Sequence, residues 1–73
     1  MKLLQLITTY VDESIEDCSR GFTTDFGIGK MVSTYVHFHL GITTVTIKDI
    51  SKTKDFDILD SKAIVKFIYQ NIK

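Results

Sequence analysis

The run from Met31 to Asp49, "MVSTYVHFHLGITTVTIKD", constrains this chain most. It is dense in β-branched and aromatic residues, too long for one strand, and broken once, by Gly41. Folding it at Leu40-Gly41 predicts a hairpin over about 31–40 and 42–49. His39 then pairs with Ile42, Phe38 with Thr43, Val36 with Val45 and Thr34 with Ile47. Side chains alternate across a strand, so this register sorts them by face. One face collects Val32, Thr34, Val36, Phe38, Thr43, Val45 and Ile47, and is apolar. The other collects Met31, Tyr35, His37, His39, Ile42, Thr44, Thr46 and Lys48, and is mixed. Both strands sort correctly in one register, as a half-buried antiparallel hairpin requires. Leu40 is ill suited to positive φ, and a longer turn over His39 to Ile42 removes that objection.

A greasy sheet face needs a cover. The C-terminal segment "DSKAIVKFIYQNIK" supplies one as a helix over about 60–72. Asp60 or Ser61 serves as N-cap. Ala63, Ile64, Phe67, Ile68 and Ile72 make one apolar stripe, with Lys62, Lys66, Gln70 and Lys73 opposite. Residues 3–20 carry Leu3, Leu4, Ile7, Val11, Ile15 and Cys18 at spacings of three and four, which predicts an N-terminal helix stopped at Gly21. Against this stand the β-formers of "ITTYV" and four acids whose place in the last turns opposes the helix dipole. A third strand, giving β-β-β-α, is the alternative. Residues 21–30, with three glycines, read as loop, anchored by Phe22, Phe26 and Ile28. Residues 51–57, "SKTKDFD", read as a polar connection. The expected fold is a single α+β domain over 1–73, a small antiparallel sheet packed against the C-terminal helix.

Size sharpens the question of support. A chain of 73 residues buries only roughly 60% of its unfolded surface. The apolar fraction of 44% is near the lower edge for globular domains. Cys18 is the only cysteine, so no disulfide forms within one chain, and a reducing, cytoplasmic setting is the default. What remains is an efficient core or a second copy of the chain, a homodimer. No apolar run approaches the roughly 18 residues of a membrane span, and no membrane association is expected. "MKLLQLITTYV" lacks the small-residue cleavage site of a signal peptide. The abundance of Ile, Lys and Asp without Trp or Pro is the usage of an AT-rich genome, compatible with a phage or mobile element.

The chain is formally neutral, so no global field draws it to nucleic acid. The charge is unevenly placed, with a net −3 over residues 1–29 and +3 over residues 30–73. His37 and His39, one residue apart, share a strand face and can present two imidazoles together. A metal site needs a third ligand, which would have to be Cys18 or a carboxylate from elsewhere since the mixed hairpin face has no acid, so neither a metal nor another cofactor is expected. Asp25-Phe26-Gly27 matches a kinase signature only by coincidence in so short a chain. "GIGK" lacks the first glycine and the terminal Ser/Thr of a P-loop. Cys18 sits among acids and lacks the electropositive setting of a nucleophile.

With no catalytic constellation, the expected function is a non-enzymatic interaction module, a regulator or inhibitor that occupies a partner protein's surface. Its candidate surfaces are the acidic stretch Asp12, Glu13, Glu16 and Asp17, and the face bearing Tyr35, His37 and His39. The alternative is a nucleic-acid binder using the outer hairpin face together with Lys48, Lys62, Lys66 and Lys73.

Overall fold

The computed structural model describes residues 2–17, 22–25 and 30–72. Six elements follow in order, namely α1 (Leu3–Glu16), β1 (Phe22–Thr24), β2 (Val32–His37), β3 (Ile42–Ile47), β4 (Lys52–Asp57) and α2 (Ser61–Ile72). The strands form an antiparallel meander in the order β1-β2-β3-β4. Both helices lie on one face of this sheet, giving a two-layer α+β fold. The N-terminal segment is therefore helix, and the third-strand alternative does not hold. Expectations for Cys18, Gly21, Phe26, Ile28 and Lys73, and for the side chain of Phe22, fall outside the described residues.

The hairpin forms with both faces as predicted but in a register two residues removed. Val36 pairs with Thr43, Thr34 with Val45, Val32 with Ile47 and His37 with Ile42. A shift of two keeps every side chain on its face, because the strand period is two. The cause is the turn. Phe38–Leu40 form a 3₁₀ turn and Gly41 closes it in the left-handed region at φ 69°, its N–H donating to Phe38 O at 3.2 Å. Four residues thus leave the ladder, so Phe38, expected in the apolar face, and His39, expected on the mixed strand face opposite Ile42, both stand outside it. The β3–β4 connection repeats the device. Lys48–Ile50 form a 3₁₀ turn and Ser51 takes the left-handed position at φ 51°.

Two strands lie where loop was expected. β1 has three residues, too few to show a period. β4 is "KTKDFD", which reads as polar because Lys52 and Lys54 alternate with Thr53, Asp55 and Asp57, leaving Phe56 as its one apolar residue. That composition suits an edge strand, where charge discourages pairing with another chain.

The core lies between sheet and helices. Ile7, Tyr10 and Val11 of α1, Val32, Val45 and Ile47 of the sheet, and Ile64, Phe67, Ile68 and Ile72 of α2 form one buried cluster. Each such aliphatic side chain contributes roughly 1.5–3 kcal/mol on burial. α1 has no side-chain N-cap and no basic residue in its last turn, so burial rather than local propensity holds it. Its buried stripe is Ile7, Tyr10, Val11 and Ser14, so the predicted inward position of Leu4 is corrected: Leu4 is 49% exposed. The Tyr10 hydroxyl donates to Val32 O at 3.3 Å and Ser14 Oγ to Tyr10 O at 2.8 Å. α2 is capped as expected, with Ala63 N–H donating to Asp60 Oδ1 at 3.3 Å. Its stripe Ile64, Phe67, Ile68 and Ile72 is buried, and Phe67 meets Phe56 edge to face, centroids 5.4 Å apart. Among the described residues, no helix is long and apolar enough to cross a membrane.

Candidate functional site

The helices leave the second sheet face open, and three rows of side chains cross it. Thr23, Ser33, Thr46 and Thr53 form one, Tyr35, Thr44 and Asp55 the next, and His37, Ile42 and Asp57 the third. The first two rows are closed by their own hydrogen bonds. Thr23 and Ser33 hydroxyls lie 3.0 Å apart, as do those of Thr46 and Thr53, and Thr44 Oγ1 donates to Asp55 Oδ1 at 2.7 Å. The third row leads to the β2–β3 turn and changes character.

At that end of the sheet three large apolar side chains stand in water. Phe38 is 70%, Leu40 60% and Leu59 79% exposed. Phe38 and Leu40 belong to the turn, and Leu59 is brought beside it because Ile58 N–H donates to Gly41 O at 3.1 Å. Alongside runs a ladder of rings. Tyr35, itself 51% exposed, has its centroid 4.4 Å from that of His37, and His37 lies 6.4 Å from His39 in an edge-on arrangement. Exposed hydrophobics scattered singly are ordinary, whereas three at one end of a sheet are not.

On the open face the charges at this end are acidic, while Lys62 stands in the first turn of α2 two residues beyond Asp60. Residues 35–42 hold no Lys or Arg, while Asp55 and Asp57 on β4 and Asp60 beyond it stand nearby. β4, expected as a polar connection, brings Asp55 and Asp57 onto the open face beside the hairpin. Even so, Asp57 is separated from His37 by the whole width of β3, about 10 Å. Among the described residues no group of three or more His, Cys, Asp or Glu is placed to hold a metal.

The sequence-derived candidates divide among three places. Tyr35, His37 and His39 come together at the sheet tip. Asp12, Glu13 and Glu16 are exposed on α1, and Asp17 is half-buried, its N–H capping the helix on Glu13 O at 2.9 Å. Lys62 and Lys66 are exposed on α2, across the sheet from the rings, and Lys48 is in the β3–β4 turn at the sheet's other end. The aromatic face and the lysines therefore do not form one surface. Asp12, Lys62 and Lys66 instead share a groove of about 360 Å³ between α1 and α2, lined also by Leu4, Val65 and Tyr69. Sequence reasoning missed Phe38, Leu40 and Leu59 as surface residues. The available signal was Gly41, which as the left-handed end of a four-residue turn ejects the three residues before it.

Beneath the other face, burial raises the Tyr10 hydroxyl above its ordinary pKa, with Thr34 and Ser14 partly opposing the shift. Thr34 Oγ1 lies near enough to influence Tyr10 but makes no well-formed hydrogen bond, and Thr43 Oγ1 is likewise buried and unpartnered. Comparisons with family models, curated proteins and solved structures found no match to this chain.

Proposed function

We propose that this protein is a non-enzymatic interaction module that seats its sheet tip in an apolar cleft of a partner protein, a cleft rimmed by basic residues. One observation carries the reading, the exposure of Phe38, Leu40 and Leu59 at one end of the sheet. Aromatic and aliphatic anchors that fill a pocket carry most of the energy of protein interfaces. Here they need little ordering on binding, since the turn is fixed by Gly41 and tied to Ile58. Asp55, Asp57 and Asp60 call for cationic groups at the partner's rim. Neither imidazole has a hydrogen-bonded carboxylate or hydroxyl among the described residues, so neither has the orienting group that usually accompanies a general base. Binding rather than chemistry is the better reading of Tyr35, His37 and His39. The nucleic-acid alternative has less support, because the rings and the lysines face apart and the charges beside the rings are Asp55 and Asp57.

A random peptide display selection against the protein, read against a Phe38→Ser/Leu40→Ser/Leu59→Ser variant, tests this. The expected peptides are apolar with flanking Lys or Arg, and they lose at least about tenfold in affinity on the variant, the equivalent of removing one modest hot spot. The variant should melt at or above the wild-type temperature, because all three side chains are exposed. Peptides indifferent to the variant would overturn the reading. So would tighter binding to a mixed-sequence single-stranded oligonucleotide or to anionic lipid vesicles at low salt.

A further inference from the structure

The helix layer is charged in two halves. α1, from Leu3 to Glu16, holds Asp12, Glu13 and Glu16 and no base. α2, from Ser61 to Ile72, holds Lys62 and Lys66 and no acid. Between them runs the groove with Leu4, Thr8 and Asp12 on one wall and Ser61, Lys62, Val65, Lys66 and Tyr69 on the other. Glu16 continues the α1 row one turn beyond Asp12. Asp12, Lys62 and Lys66 make no ion pair among the described residues, so their charges are directed outward.

We infer that this face is a self-association surface whose occupant is a second copy of the chain, related by a two-fold axis running along the groove. Such an axis lays α1 of one copy over α2 of the other, acid on base twice over, as an isologous contact demands. The perpendicular in-plane axis would lay α1 on α1, acid on acid, and is disfavoured. A two-fold along the groove leaves height along the groove unchanged. Acids and lysines can therefore meet between copies only if they already lie at the same height within one copy. Asp12 lines the groove together with Lys62 and Lys66, and Glu16 follows it one turn on, so the acidic and basic rows run along one groove. The contact also covers Leu4 and the groove's apolar floor. Other surfaces suit a second copy less well. β1 is three residues long, β4 is a charged edge, and the hydroxyl rows of the open sheet face are largely self-satisfied.

The area makes this a weak dimer. Helices of 14 and 12 residues are about 20 Å long and together about 20 Å wide, giving a footprint near 400 Å² per copy. The roughly 800 Å² total is below the range of tight complexes. Association is therefore concentration-dependent, weakened by salt, and leaves both sheet tips free.

Sedimentation equilibrium over a concentration series in low salt tests the arrangement. The wild type is expected to pass from monomer to dimer as concentration rises, and back toward monomer on added salt. The variants Asp12→Lys/Glu16→Lys and Lys62→Glu/Lys66→Glu change only exposed positions. Each is expected to be monomeric alone, because the charges it changes then match those on the facing wall of the groove. Mixed in equal amounts, they are expected to form a heterodimer at least as tight as the wild type. Amide shifts of the wild type on dilution give a second readout, with changes confined to α1 and α2. A wild type monomeric to about 1 mM overturns the inference, a limit that already corresponds to only some 4 kcal/mol of association. Either variant dimerising alone like the wild type, or dilution shifts centred on the sheet tip, overturns it equally.

Discussion

The two faces of the sheet are built from nearly the same residue types and do opposite work. "ITTVTI" of β3 places Thr43, Val45 and Ile47 under the helices, and Ile42, Thr44 and Thr46 on the open side. Inside, the aliphatic side chains pack and the threonine hydroxyl has no partner. Outside, Thr44 and Thr46 each hold a hydrogen bond to β4. The face a residue occupies, more than its identity, sets its energetic role, and matched substitutions on the two sides test that.

The isoleucines give the largest contrast. Ile47→Ala is expected to lower unfolding free energy by about 2–5 kcal/mol, because it opens a cavity in a fully buried position. Ile42→Ala, half-buried on the open side, should lose about 1 kcal/mol or less. For a domain this small, total stability is on the order of 4–11 kcal/mol, so the first variant is partly unfolded at room temperature if stability lies at the low end. Urea denaturation of both variants measures the difference. Equal losses would mean that the open side is covered too, and the comparison fails.

How far the two faces could be read from sequence follows from the same alternation. Face assignment along β2 and β3 was legible because a period of two survives any register shift of two, so the misjudged turn left every ladder residue on its proper side. The turn was legible only in part, since the longer reversal over His39 to Ile42 has the right length but the loop that forms is Phe38 to Gly41, one residue earlier. Phe38 was misplaced for that reason. β4 escaped notice because an edge strand protected by Lys52, Lys54, Asp55 and Asp57 looks like a loop. Of the candidate site, Tyr35 and His37 followed from strand spacing, whereas His39, placed on the same strand face by that spacing, lies in the 3₁₀ turn. Leu59 did not follow from spacing, because its place depends on the Ile58 to Gly41 hydrogen bond between segments 17 residues apart. The opposition of rings and lysines across the sheet needed the placement of α2, which no local pattern gives.

Tyr10 sharpens the comparison through pH. Its ring is buried under the closed face and burial raises its pKa above the ordinary tyrosine value of about 10, near which it titrates in the unfolded chain. A raised folded-state pKa means that the neutral hydroxyl stabilises the fold fully below the unfolded value. That stability falls as pH rises from about 10 through the folded value, because the unfolded state gives up its proton first. Tyr10→Phe should lower stability by about 1.5 kcal/mol at neutral pH, where the bond to Val32 O is lost. The gap to wild type should close as pH passes 10. Chemical denaturation at pH 7 and above pH 10 checks this, and a gap independent of pH would place the hydroxyl in water.

The adjacent threonines give the smallest effects and the most direct test, because one substitution is made on two sides of the same strand. Thr43→Val replaces a buried hydroxyl that has no partner with a methyl of nearly the same shape. Leaving a buried polar group unsatisfied costs about 1–3 kcal/mol, so removing it should raise stability by about 1 kcal/mol. Val36 and Phe56 flank it across the ladder and receive the methyl. Thr44→Val deletes the 2.7 Å bond to Asp55 on the exposed side, where water replaces the partner. Higher strand propensity of valine offsets part of that loss, and the net change should stay within about 0.5 kcal/mol. Thermal melting resolves the pair, with Thr43→Val shifted upward by several degrees and Thr44→Val near wild type. A Thr43→Val variant that melts lower than wild type would mean that its hydroxyl is bonded in solution, by a buried water or by the backbone. The closed face would then carry a polar anchor of its own, and the division of labour between the faces would have to be redrawn around it.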